Sequence, residues 1–147
     1  MKDTENIDTV IKTLYSIISG PIGEERDWER FRSLFIPGAR LIRKRRIQGG
    51  PIQTLSQNVE EYIKSAQEFF RLQGFYESEI ARRTEEFGSI AHVFSTYESK
   101  LDKNDPKPFS RGINSIQLLG DNDRWWVVNL LWESESEMNP IPEKYLP

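Results

Sequence analysis

Residues 111–135 read RGINSIQLLGDNDRWWVVNLLWESE. Two runs rich in aliphatic, β-branched and aromatic residues flank Gly120, Asp121, Asn122 and Asp123, the composition of a hairpin turn between two strands. Pairing Leu119 with Arg124 across a four-residue turn puts Gln117 opposite Trp126, Ser115 opposite Val128, Ile113 opposite Leu130 and Arg111 opposite Trp132. Side chains alternate across a strand, so Arg111, Ile113, Ser115, Gln117, Trp126, Val128, Leu130 and Trp132 then share one face. Gly112, Asn114, Ile116, Leu118, Trp125, Val127, Asn129 and Leu131 share the other. Neither face is plainly polar, so both are expected to be covered, by helices on one side and a second subunit on the other.

Upstream, the texture is also that of strands. Residues 75–87 (FYESEIARRTEEF) and 89–101 (SIAHVFSTYESKL) mix aromatic, β-branched and charged residues about a turn at Gly88. Farther upstream the period changes to that of helices. Ile7, Ile11, Leu14 and Ile18 form one apolar stripe, and Gly20, Pro21 and Gly23 break it. Asp27 is suited to cap a short helix carrying Trp28, Phe31, Leu34 and Phe35, which Pro37 and Gly38 should end. A strand is expected over ARLIRKRRI (39–47). A third helix follows, with Thr54 and Gln57 at capping-box spacing and a stripe of Leu55, Val59, Tyr62, Ile63, Ala66, Phe69 and Phe70, stopping near Gly74. Helices early and a strand meander late define an α+β chain. One domain over 1–147 is expected, with its body at about 5–135 and an extended, proline-rich tail at 136–147 whose Ile141, Tyr145 and Leu146 dock on it.

Composition narrows the chemistry. With no cysteine, disulfides, thiolate metal sites and a cysteine nucleophile are excluded, and one histidine makes a metal site improbable. No cofactor is expected: phosphate-binding loops, dinucleotide glycine motifs and a serine nucleophile elbow are all missing. The net charge of −3 offers no general field for nucleic acid. The basic run of Arg40, Arg43, Lys44, Arg45 and Arg46 lacks interleaved aromatics and is expected to be a solvated strand end. No secretory signal or membrane span is legible, so a soluble, cytoplasmic protein is expected.

The order of helix, short helix ending in FIPGARL, long helix and strands closing on WWVVNLLW resembles the nuclear transport factor 2-like superfamily, which includes SnoaL-like cyclases and ketosteroid isomerases. SIAHVFSTYES, RGINSIQLL and RWWVVNLLW are its local echoes, and the resemblance spans residues 5 to 135. It implies a cystatin-like cone, with three N-terminal helices packed on a strongly curved, mainly antiparallel sheet. It also implies a pocket at the mouth of the cone and homodimers through the outer sheet face. It implies no single reaction, because this fold hosts isomerases, cyclases, dehydratases and silent assembly modules.

Candidate residues follow from residue type and position. His92 can exchange a proton near neutral pH, and Ile90 and Phe94 place its face against apolar neighbours. A histidine bonded within the sheet is the competing reading. Glu77 and Glu79 share one strand face; burial there would raise a carboxyl pKa and make a usable base, whereas solvent would leave ordinary charges. Arg111 lies on a largely apolar face and needs a partner, either a glutamate such as Glu98 or Glu133 or an anionic ligand. Tyr62, Tyr97, Phe94, Trp126 and Trp132 are candidates to line the pocket. Two functions stay open. One is a pocket for a small apolar carbonyl compound, with His92 or Glu79 as base and cofactor-free isomerase, cyclase or dehydratase chemistry. The other is a non-catalytic homodimeric binding or assembly module.

Overall fold

The computed structural model describes residues 2–46 and 50–147. Asn6 caps helix α1 (Ile7–Ile18) reciprocally with Thr9, and the helix buries Val10, Ile11, Leu14, Ile17 and Ile18. Asp27 caps the short helix α2 (Trp28–Ser33) by accepting from the Arg30 amide. Between the two, the buried Arg26 donates to the carbonyls of Ile18, Gly20, Pro21 and Glu24 while its guanidinium lies 4.1 Å above the Phe70 ring. It thereby supplies a donor to the Ile18 carbonyl at the α1 C-terminus and ties the following turn together.

Six strands, β1 (Phe35–Arg46), β2 (Ile52–Gln57), β3 (Tyr76–Phe87), β4 (Ile90–Lys100), β5 (Ser110–Asp121) and β6 (Arg124–Ser134), form one curved sheet in the order β2-β1-β6-β5-β4-β3. Every pairing is antiparallel except that of β1 with β6. Helix α3 (Val59–Leu72) lies between β2 and β3 in the chain, so the expectation of three helices ahead of the whole sheet holds only for α1 and α2.

Three local expectations change. Residues 52–57 form β2 and not the start of a helix: the exposed edge of β1 needs hydrogen-bond partners, and they supply them. The α3 cap is instead the reciprocal pair Asn58 and Glu61. Pro37 and Gly38 do not end a helix but lie inside β1, at an irregularity between Phe35 and Arg40 where Gly38 has φ 84°. Ile47, assigned to that strand from sequence, lies outside the described residues.

The β5–β6 hairpin has a two-residue turn, because Asn122 and Asp123 both adopt positive φ (49° and 64°) and Asp121 pairs with Arg124. A bulge at Val128 then switches the alternation of β6. Gly112, Asn114, Ile116 and Leu118 therefore share the inner face with Val127, Leu130 and Trp132, while Trp126 and Leu131 face out. Arg111 sits beside Glu135 and not Trp132.

The tail docks on the outer face. Thr96 Oγ1 donates to the Tyr145 carbonyl at 2.7 Å, Arg83 Nε to the Lys144 carbonyl at 3.1 Å, and the Tyr145 ring lies 5.2 Å from Phe94. Part of the cover expected from a second subunit thus comes from the chain itself. No helix among the described residues is long and apolar enough to cross a membrane.

Candidate active site

The sheet curls around α1 and α3 and encloses a cavity of about 430 Å³ open at one end. Its wall is apolar where Leu14, Ile18, Leu41, Ile116 and Leu130 meet, and aromatic where Tyr62, Phe69, Phe75, Phe109 and Trp132 meet. The one carboxylate among its lining residues is Glu77. The pleat of β3 brings it there: Glu77 pairs with Ser99 and Glu79 with Tyr97, so both acids point inward. A bulge at Ile80 then brings Arg82 to the same side.

The two acids meet different fates. Glu79 is held by Arg82, at 2.8 Å from Nη2, and accepts from Ser95 Oγ at 2.5 Å, while Arg82 also reaches Asp8 at 3.1 Å. That carboxylate is consumed by structure and does not line the cavity. Glu77 has no cation among the described residues. It accepts from Ser99 Oγ at 3.1 Å and from Asn114 Nδ2 at 3.3 Å. Burial raises its pKa to about 7, and the Asn114 and Ser99 hydrogen bonds only partly offset that.

A polar relay runs back from this carboxyl. Asn114 Nδ2 also donates to Tyr15 Oη at 2.9 Å, and Tyr15 Oη lies 2.6 Å from Ser95 Oγ. Burial first, and the Glu77 charge second, raise the pKa of Tyr15 and of Tyr62. Burial pushes Tyr97 up to about 12, opposed by its contact with Ser134 Oγ at 3.0 Å. All three phenols therefore keep their protons at neutral pH. Tyr15 and Tyr97 are engaged with serines, whereas the Tyr62 hydroxyl has no hydrogen-bond partner among the described residues and borders the cavity.

The other sequence candidates are distributed by strand parity. Tyr62, Tyr97 and Trp132 line the cavity. His92, Phe94 and Trp126 do not: Val93, Ser95 and Val127 take the inward positions beside them. His92 Nε2 lies 3.0 Å from Ser115 Oγ on the outer face, its ring 5.2 Å from Phe94. Trp126 lies under the Arg124 guanidinium at 3.3 Å. Arg111 Nε pairs with Glu135 Oε1 at 2.6 Å, away from the cavity and with neither acid expected from sequence. Sequence reasoning missed Asn114, Ser99 and Arg43 as cavity residues. For Asn114 the signal was present, a polar residue between Gly112 and Ile116 on a mostly apolar face. Among the described residues no group of three or more histidine, aspartate or glutamate side chains converges as a metal site requires.

No family model matches this sequence, and no curated protein does either. Solved structures do. An NTF2-like protein of unknown function from Silicibacter pomeroyi superposes with a TM-score of 0.61 at 12% identity, over 88% of this chain and 92% of that one. A candidate dehydratase of the NTF2-like family from Streptomyces avermitilis gives 0.63 at 12% identity, over 91% and 96%. A candidate ketosteroid isomerase from Shewanella frigidimarina gives 0.56 at 15% identity, over 84% and 91%. The chain has the nuclear transport factor 2-like fold.

Proposed function

We propose that this protein is a cofactor-free acid–base enzyme acting on a small apolar carbonyl compound held in the cone. The observation that carries this reading is the carboxyl of Glu77 on an apolar cavity wall, held by Ser99 and Asn114 and by no cation among the described residues. A carboxyl titrating near neutrality serves as base and then as acid in one turnover. Glu77 removes a proton from the carbon next to the carbonyl. The free Tyr62 hydroxyl donates to the oxygen as enolate charge develops, and Glu77 returns the proton to another carbon or to a departing group. Isomerisation and dehydration share this first step, and the candidate isomerase and dehydratase of like fold support the choice. Glu77 thus takes the role that residue type had offered to His92 and Glu79. The chain works in the cytoplasm without a metal or organic cofactor.

The test is turnover of carbonyl compounds that raise the melting temperature of the purified protein. Glu77→Gln should lower kcat/KM by about 10²–10⁴-fold while the same compounds still stabilise the fold. Equal turnover by the variant would sink the assignment.

The outer sheet face supports a second element, a homodimer. Leu131 is 41% exposed there, beside Ile42 and Ile113 at the edge of the docked tail. This surface also serves the non-catalytic assembly reading, which gains ground if no carbonyl compound binds.

A further inference from the structure

The inner face of β1 runs Ala39, Leu41, Arg43. Ala39 and Leu41 are 3% and 2% exposed, so alternation calls for a third apolar residue, yet an arginine stands there. Its neighbours across the sheet are Trp132 on β6 and Leu55 on β2. Arg30, Arg32, Arg82 and Arg111 each meet a carboxylate. Arg43 alone among the described lysines and arginines lines the cavity, and it has no ion pair or hydrogen-bond partner among the described residues. It does not pair with Glu77, whose carboxyl is bonded to Ser99 and Asn114.

The cavity is therefore polarised. The carboxyl end is set among the buried Ser99 and Asn114. Arg43 shares the cavity lining with Gln57, which stands opposite Leu41 on β2 and donates to the exposed Ser65 Oγ at 3.1 Å. A guanidinium on an apolar wall with no counter-ion is a site for a planar oxyanion, which its fork binds in a bidentate manner.

We propose that the ligand of this cavity is an apolar organic acid, its carboxylate on Arg43 at the rim and its carbonyl directed inward to Glu77. The assignment rests on the cavity being a ligand site, as in the proposed function. It adds the substrate class.

The experiment is a fluorescence titration with two probes of matched shape. They are 8-anilinonaphthalene-1-sulfonate, whose sulfonate stands in for the carboxylate, and the uncharged N-phenyl-1-naphthylamine. Wild type should bind the anion at least about tenfold more tightly, with the preference shrinking as salt rises from about 20 mM to about 300 mM. Arg43→Gln should bring the two probes to parity by weakening only the anion. Ser65→Trp, which narrows the rim, should weaken both, and Glu77→Gln should keep the preference for the anion. Equal affinities in wild type, or a preference that survives Arg43→Gln, would overturn the organic-acid assignment and leave the pocket standing. If neither probe binds the folded protein, or Ser65→Trp changes nothing, the pocket reading fails and the assignment falls with it.

Discussion

At the scale of single residues, the proposed chemistry turns on which acid has a cation among the described residues. Glu79 is held at the usual carboxylate's task of pairing with Arg82, whereas Glu77 two positions earlier is held only by neutral donors. Its pKa stands raised from 4.5 to about 7, so the native state binds this proton more tightly than the unfolded chain does. The resulting stabilisation is full below about pH 4.5 and is lost as pH rises through about 7. At about 1.4 kcal/mol per pH unit this amounts to about 3 kcal/mol at most, less to the extent that cavity water reaches the carboxyl. Melts from pH 5 to pH 8 should therefore show wild type losing several degrees that Glu77→Gln does not lose. Asn114→Leu removes a donor that lowers the Glu77 pKa. Its pH–rate profile should move to higher pH, and a profile that stays in place would show that Asn114 leaves the carboxyl unaffected.

At the scale of elements, small irregularities aim the side chains. The bulge in β6 turns Leu130 and Trp132 inward, and the bulge in β3 lets Arg82 reach back to Glu79. Close strand packing is needed where Tyr97 crosses β5. A Cβ on Gly112 would run into the Glu133 carbonyl and the Tyr97 hydroxyl. Gly112→Ala should thus destabilise by about 2 kcal/mol or more, measured by urea unfolding, because backbone atoms have little room to yield. Asn58→Ala removes the α3 cap and should cost about 1 kcal/mol without altering the apparent pKa of the cavity. Such features explain why the site was only half legible. The alternation of Glu77 with Glu79 was plain in the sequence, but a one-residue bulge carries no signal there and reverses every later inference about faces.

At the scale of the molecule, the two faces of the sheet divide the work. The inner face builds the cavity, and the outer face carries the docked tail and the exposed Leu131. A dimer through that face should dissociate on Leu131→Glu. Sedimentation velocity should then show a monomer at concentrations where wild type is dimeric, with the melting temperature within about 2 °C. Two monomeric profiles, wild type included, would remove the dimer from the account. Deleting 136–147 should lower the melting temperature, since Thr96 and Arg83 then lose their bonds to the tail backbone.

The sequence by itself determined the α+β class, α1, α2, the body of α3 and the positions of five strands, because amphipathic period and turn residues are local properties. Absent cysteine and a lone histidine likewise confined the chemistry to oxygen and nitrogen acids and bases. What only the tertiary structure decided was β2, the register of the last hairpin and the contents of the cavity. These depend on partners far apart in the chain. Arg82 takes Glu79 and leaves Glu77 free, Asn114 on β5 reaches a carboxyl on β3, and Arg43 on β1 meets none. Which ionisable group is left without a counter-ion is a property of the closed sheet, and it is settled only once all six strands are in place.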